Sequence, residues 1–165
     1  LYVTQLGFSA ATYGAIISLN GALVVFCELP LTTITRRFPA RRVMAVGYVL
    51  IGVGFALNAF AHTIPALVAC MILFTLGEMI TMPMSSAYLA DLAPSHMRGR
   101  YMGVSGLTWS VGLIVGPVLG MKLFASNAPV FWLLCLGLGF LAAAIILVRP
   151  KTQPAEEGFA EKAVS

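Results

Sequence analysis

The sequence predicts an all-α, polytopic membrane protein with five transmembrane helices, and three observations lead there. Five apolar segments of about 19 residues or more fill the chain, and about 20 helical residues cross a hydrocarbon core of about 30 Å. Only 10% of the 165 residues are charged and 59% are hydrophobic, where a soluble domain carries about 25% charged residues. The arginines fall in every second connection between the apolar segments. Within lipid a segment must satisfy its own backbone amides, which favours helices.

The elements follow in order. Residues 1–8 are too short to span anything, and Leu1–Gly7 reads as the outer end of a preceding transmembrane helix. The spans are expected at about Ser9–Thr35, Val43–Ala61, Pro65–Leu89, Tyr101–Phe124 and Pro129–Val148, within a bundle covering 9–149. Five helices make an odd count, which one further helix upstream would bring to six. Residues 150–165 are polar and mixed in charge, the composition of a disordered tail.

Orientation follows from the loops. Arg36, Arg37, Arg41 and Arg42 separate the first two spans, Arg98 and Arg100 the third and fourth, and Arg149 and Lys151 follow the last. The opposite connections hold only Lys122 and the usually neutral His62. Positive-inside counting puts the arginine loops and the C-terminus in the cytoplasm, with Leu1 outside. The net charge of +4 is thereby explained by the membrane, and no nucleic-acid partner is implied.

Polarity divides the helices. The second and fifth are nearly free of polar side chains apart from Asn58. The first, third and fourth carry Asn20, Glu28, Thr75, Glu78, Thr81, Ser85, Ser86, Thr108, Trp109 and Ser110 at membrane depth. Polar groups are costly against lipid, so these three are expected to line a bundle interior or a wet cavity, braced by the other two. In the fourth span Gly112, Gly116 and Gly120 share a face suited to close helix packing. Pro117 removes one helical hydrogen bond and invites a kink. That face reads either as a packing ridge or as a hinge.

Glu78 is the sharpest candidate for chemistry. It lies mid-way along the third span, where a charge costs about 2.5–3.5 kcal/mol on insertion scales, and protonation relieves that cost. Thr75, Thr81, Met82 and Ser85 share its face at helical spacing. A proton carrier and a hydrogen-bonded structural acid both fit. Glu28 is closer to the arginine loop and reads first as an ion-pair partner there, and second as a proton carrier. Asn20, Thr81, Ser85 and Trp109 are candidates for a substrate cavity, and Trp109 fits ordinary packing as well. Arg37, Arg41, Arg42, Arg98 and Arg100 form the candidate cytoplasmic gate or loop set.

Enzyme chemistry has no support. The two histidines fall on opposite sides of the membrane, so no metal site is expected, and the three cysteines lack CxxC spacing. Gly103-Val104-Ser105-Gly106 has no histidine at helix depth to activate its serine. Neither nucleotide-binding glycine motif is present, and no cofactor is expected.

The order of these features is familiar. Pro30 through Arg42 leads into Val43-Met44-Ala45-Val46-Gly47, then the short turn Ala61–Pro65, then Asp91-Leu92-Ala93-Pro94-Ser95-His96-Met97-Arg98-Gly99-Arg100, and then Gly112–Gly120. This resembles the major facilitator superfamily, most closely the C-terminal half of a bacterial drug–proton antiporter-type member, over nearly the whole chain. The family's loop motif G-x-x-x-D-R-x-G-R-R is worn here. Thr32 stands for the first glycine, Arg36 for the aspartate, Pro39 for the second glycine and Ala40 for the first of the last basic pair. Arg37 and Arg41 fit, and a decayed copy is usual in the second half. Gly112–Gly120 is similar to the antiporter motif G-x-x-x-G-P-x-x-G-G, with Met121 for the last glycine. That motif normally sits on helix five, with looser versions on helix eleven.

The resemblance implies helices eight to twelve of a twelve-helix carrier in a bacterial inner (plasma) membrane. The partners it implies are the lipid bilayer, the missing N-terminal half, a small-molecule substrate and protons. Two bundles would rock about a midplane site, giving alternating access. The expected activity is proton-coupled efflux of an amphipathic small molecule or drug. Nutrient or metabolite symport is an alternative within the same superfamily, and a five-helix scaffold or assembly subunit an alternative of another class.

Overall fold

A computed structural model describes residues 2–148; the expected tail, with Arg149 and Lys151, lies outside the described residues. It begins with one helical turn, α1 (Tyr2–Gln5), and a reversal at Gly7, whose φ of 83° is the left-handed region glycine enters freely. Five long helices follow: α2 (Ala10–Thr35), α3 (Ala40–Ala56), α4 (Ile64–Leu92), α5 (Arg98–Ser126) and α6 (Ala128–Val148). All five are long and apolar enough to cross a membrane, α3 when counted with the 3₁₀ turn Leu57–Phe60 that extends it.

Local chemistry sets the ends. Ser9 Oγ accepts from the Thr12 N–H at 3.2 Å, so the serine caps α2 rather than beginning it. The second span was expected to run to Ala61, but α-geometry stops at Ala56, and Asn58 Nδ2 donates to the Gly54 carbonyl at 2.9 Å within the turn. Pro65 sits in the first turn of α4, where its missing N–H costs nothing. The fourth span starts at Arg98 instead of Tyr101, because arginine is a good helix former and the turn Ser95–Met97 feeds directly into it.

Helix α4 packs against α2 on one side and α3 on the other, and α3 in turn packs on α6. Glycines make these contacts close. A Cβ on Gly77 of α4 would lie 2.7 Å from the Gly47 carbonyl oxygen and 2.8 Å from the Ile51 nitrogen of α3. One on Gly54 would lie 2.8 Å from the Phe74 nitrogen, and one on Gly139 of α6 would lie 2.8 Å from Gly52 Cα and from the Tyr48 carbonyl. Backbone therefore meets backbone along α3, the contact mode of small-residue helix pairs. Val43, Met44, Ile80 and Met84 fill the core near the arginine loops, and Ile16, Ala61, Leu67 and Cys70 fill it at the opposite end.

Helix α5 is different. Along its length only Phe124 is buried. Its far end is held by an edge-to-face aromatic group of Tyr2, Phe124, Phe131 and Trp132, with ring centroids 4.9–6.0 Å apart. The rest of α5 stands away from α4 and leaves a trough.

Arg41 fastens the other end of the bundle. Its Nε donates to the Ile146 carbonyl at 2.7 Å and its Nη2 to the Leu147 carbonyl at 2.8 Å, in the last described turn of α6. Arg41→Ala is expected to lower stability by about 1–2 kcal/mol, with partial recovery in Arg41→Lys, which keeps the charge but loses the fork. Thermal unfolding in detergent checks this; equal melting of all three proteins would mean the contact contributes nothing.

Candidate functional site

The trough runs between α4 and α5 with α3 as its floor, and encloses about 1100 Å³. The α4 wall presents Glu78, Thr81, Met82, Ser85 and Leu89, three or four residues apart and so on one helical stripe. The α5 wall presents Arg100, Tyr101, Thr108 and Trp109 among others. Tyr48 and Ile51 of α3 line the floor. Towards the opposite end the same α4 stripe continues through Phe74, Met71, Cys70 and Leu67 into a smaller space of about 270 Å³, beside Tyr2, Tyr13, Phe55 and Trp132.

Glu78 is half-buried and belongs to this wall. Across the α2–α4 contact, Asn20 Nδ2 donates to Glu78 Oε2 at 3.1 Å and to Thr75 Oγ1 at 2.9 Å. Thr75 has no solvent exposure and donates its own hydroxyl to the Met71 carbonyl at 2.7 Å. No cation pairs with Glu78 among the described residues. The carboxyl is thus held by one neutral donor and borders an open trough at mid-helix.

The other expected residues divide. Thr81 borders the trough, but its hydroxyl donates to the Gly77 carbonyl and the side chain is buried in the α3–α4 seam. Ser85 Oγ donates to the Thr81 carbonyl at 2.6 Å, which leaves its lone pairs free to accept from a ligand. Trp109 is 55% exposed and faces the trough, as a stacking surface would. Arg100 stands at the trough's arginine-loop end, while Arg37, Arg42 and Arg98 are exposed away from it.

Three expectations change. Glu28 forms no ion pair with any described arginine; Arg36 lies eight residues further along, a rise of about 12 Å, and Arg41 is engaged with α6. Gly112 and Gly116 meet nothing within 4 Å of a notional Cβ, and Gly120 only the ring of Phe131 at 3.5 Å, so the close packing is carried instead by Gly47, Gly52, Gly54, Gly77 and Gly139. Helix α3, expected to brace from outside, also supplies Tyr48 to the trough floor. The sequence places Asn20 and Glu78 at similar depth on two spans of the same direction, but that these two spans are neighbours, and so the Asn20–Thr75–Glu78 connection, emerges only from the packing of α2 on α4.

Comparison with known proteins agrees with this architecture. The model of the Major Facilitator Superfamily matches residues 1–164. The chain belongs to the major facilitator superfamily. It is thus a multi-pass membrane protein of a family of carriers, not enzymes. It is 27% identical to the uncharacterised MFS-type transporter YqjV of Bacillus subtilis, over 89% of this chain and 38% of that protein. It is 30% identical to the multidrug resistance protein MdtH of Aeromonas hydrophila, over 90% and 38% respectively. With the Na(+), Li(+), K(+)/H(+) antiporter of Planococcus maritimus it shares 23% identity, over 65% of this chain and 25% of that protein. The chain therefore spans less than half the length of the curated relatives it matches. No solved structure matches it.

Proposed function

We propose that the chain is the C-terminal half of a secondary transporter that exports an amphipathic small molecule in exchange for protons by alternating access. The observation that carries the reading is Glu78, which lines an otherwise mostly apolar trough and is held by Asn20 with no described counter-charge. An apolar trough with Trp109 and hydroxyl acceptors suits an amphipathic ligand, and a lone carboxyl suits a proton. Similarity to a multidrug resistance protein and to a cation–proton antiporter supports this class of function. In this reading α1 is the outer end of a preceding helix that enters beside Phe124 and Trp132, and α2, α4 and α5 turn their polar faces to the N-terminal half. The membrane is a bacterial inner membrane in this reading, and positive-inside counting puts the arginine loops and the C-terminus on its cytoplasmic side.

The test is a direction-resolved flux assay on the full-length protein in proteoliposomes, with an imposed pH gradient and a panel of amphipathic cations. Substrate movement opposite to the proton gradient, accompanied by proton counter-flow, is the expected result. Movement in the same direction as protons would replace export with symport. Proton-independent flux would remove the coupling.

A further inference from the structure

At mid-membrane depth the hydrogen bonds between the side chains of α2 and α4 are made by Asn20. All the hydrogens there run one way. Asn20 gives one to Glu78 Oε2 and one to Thr75 Oγ1, and Thr75 passes its own to the Met71 carbonyl. This arrangement satisfies a carboxylate, which only accepts. A proton taken from water in the trough forms one new O–H bond, either on Oε1, which leaves Oε2 accepting from Asn20, or on Oε2, whose hydrogen then points toward the donor Nδ2. The second pair is unsatisfied, and at this depth an unsatisfied polar group costs about 1–3 kcal/mol.

The asparagine side chain can answer without leaving its place. A half-turn about its last torsion puts Oδ1, with two lone pairs, where Nδ2 stood. Oδ1 then accepts from the new Glu78 hydroxyl and from Thr75, whose hydrogen swings away from the Met71 carbonyl. No covalent bond to Asn20 or Thr75 breaks; only the direction of donation reverses. Thr75 is fully enclosed, so it has no water with which to compromise and must follow.

We propose that Asn20 is a positioning residue that reads the protonation of Glu78 at Oε2, donating to the carboxylate and accepting from the carboxylic acid, with Thr75 reversing in step. The proposal rests on the reading that Glu78 takes up a proton. The ionisable groups sharing the trough with it are Tyr48 from α3 and Arg100 and Tyr101 from α5, while the group facing it from α2 is Asn20 itself, uncharged. None of the other three hydrogen-bonds to the carboxyl among the described residues, so the amide is the group in position to sense its charge. The consequence is that α2 and α4 exchange one hydrogen-bonding pattern for another each time the proton comes or goes, which ties proton occupancy to the pairing of two helices beside the trough.

The test uses the full-length transporter in lipid, with side-chain amide nitrogens of asparagine labelled and followed by solid-state magnetic resonance across pH. In the same sample the Glu78 carboxyl is followed by infrared spectroscopy, assigned against Glu78→Gln. The expected result is an Asn20 amide signal that moves in parallel with the carboxyl band and stays fixed in Glu78→Gln. Asn20→Leu should lose about tenfold of the pH-driven flux, the scale of one hydrogen bond to a charged group. A carboxyl that titrates beside an unmoving Asn20 signal would overturn the inference and leave proton coupling intact. A carboxyl that never titrates would sink both.

Discussion

Glu78→Gln in the full-length transporter is expected to reduce pH-driven transport to background while the protein folds, inserts and still exchanges substrate. Glutamine keeps the shape, and its side-chain oxygen accepts from Asn20 as Glu78 Oε2 does at 3.1 Å, so the α2–α4 contact survives. Only the ability to change charge is lost. A carboxylate at the bilayer centre costs about 2.5–3.5 kcal/mol on insertion scales, so the neutral variant should melt no lower than the wild type. Proteoliposome flux with and without a pH gradient separates the two effects. Gradient-driven flux that persists at the wild-type rate would remove Glu78 from coupling and leave it a structural acid. A drop in both flux and melting temperature would make it a structural acid of a more demanding kind, one the α2–α4 contact depends on.

The contrast with Glu28 shows what separates the two acids. Both were conspicuous in the sequence as carboxyls within apolar helices. Helical pitch places Glu28 about 12 Å along the axis from Arg36, out of easy reach of the loop it was expected to pair with. Glu78 finds Asn20 because α2 and α4 run the same way through the membrane and pack side by side.

The five spans were legible because length and hydropathy report directly on the bilayer, and each observed helix lies within a few residues of its expected position. The ends moved where local hydrogen bonding decided them, at the Ser9 cap and in the Asn58 turn. Several trough-lining residues, Glu78, Thr81 and Ser85, were also conspicuous, since a polar side chain at membrane depth stands out against an apolar background. Pairings between helices were not. Helix neighbours are set by which surfaces fit, and that property belongs to two segments at once. A glycine run such as Gly112, Gly116 and Gly120 advertises itself within one helix, yet nothing in α2, α3 or α4 lies against it. The glycines that do pack closely are Gly47, Gly52 and Gly54 on α3, Gly77 on α4 and Gly139 on α6, and only their apposition gives them meaning.

That apposition makes the second large effect predictable. Gly77→Val and Gly139→Val are each expected to destabilise the bundle by about 1–3 kcal/mol or more, the range for overpacking a tight core. The obstacle at both sites is backbone. A Cβ at position 77 would meet the Gly47 carbonyl at 2.7 Å and the Ile51 nitrogen at 2.8 Å, and one at position 139 would meet Gly52 Cα and the Tyr48 carbonyl at 2.8 Å. A side chain can turn aside, whereas a backbone atom moves only with its helix. Position 77 should be the more damaging to transport, because it lies one residue from Glu78 and displaces α4 from α3, the floor of the trough. Gly116→Val serves as the comparison: a Cβ there meets nothing within 4 Å in this chain, so in the bundle alone it should melt with the wild type. Thermal unfolding in detergent ranks the three. If Gly116→Val proved as damaging in the full-length transporter as Gly77→Val, the exposed face of α5 would be a packed helix interface in the assembled protein, and the trough would be correspondingly narrower than it stands here.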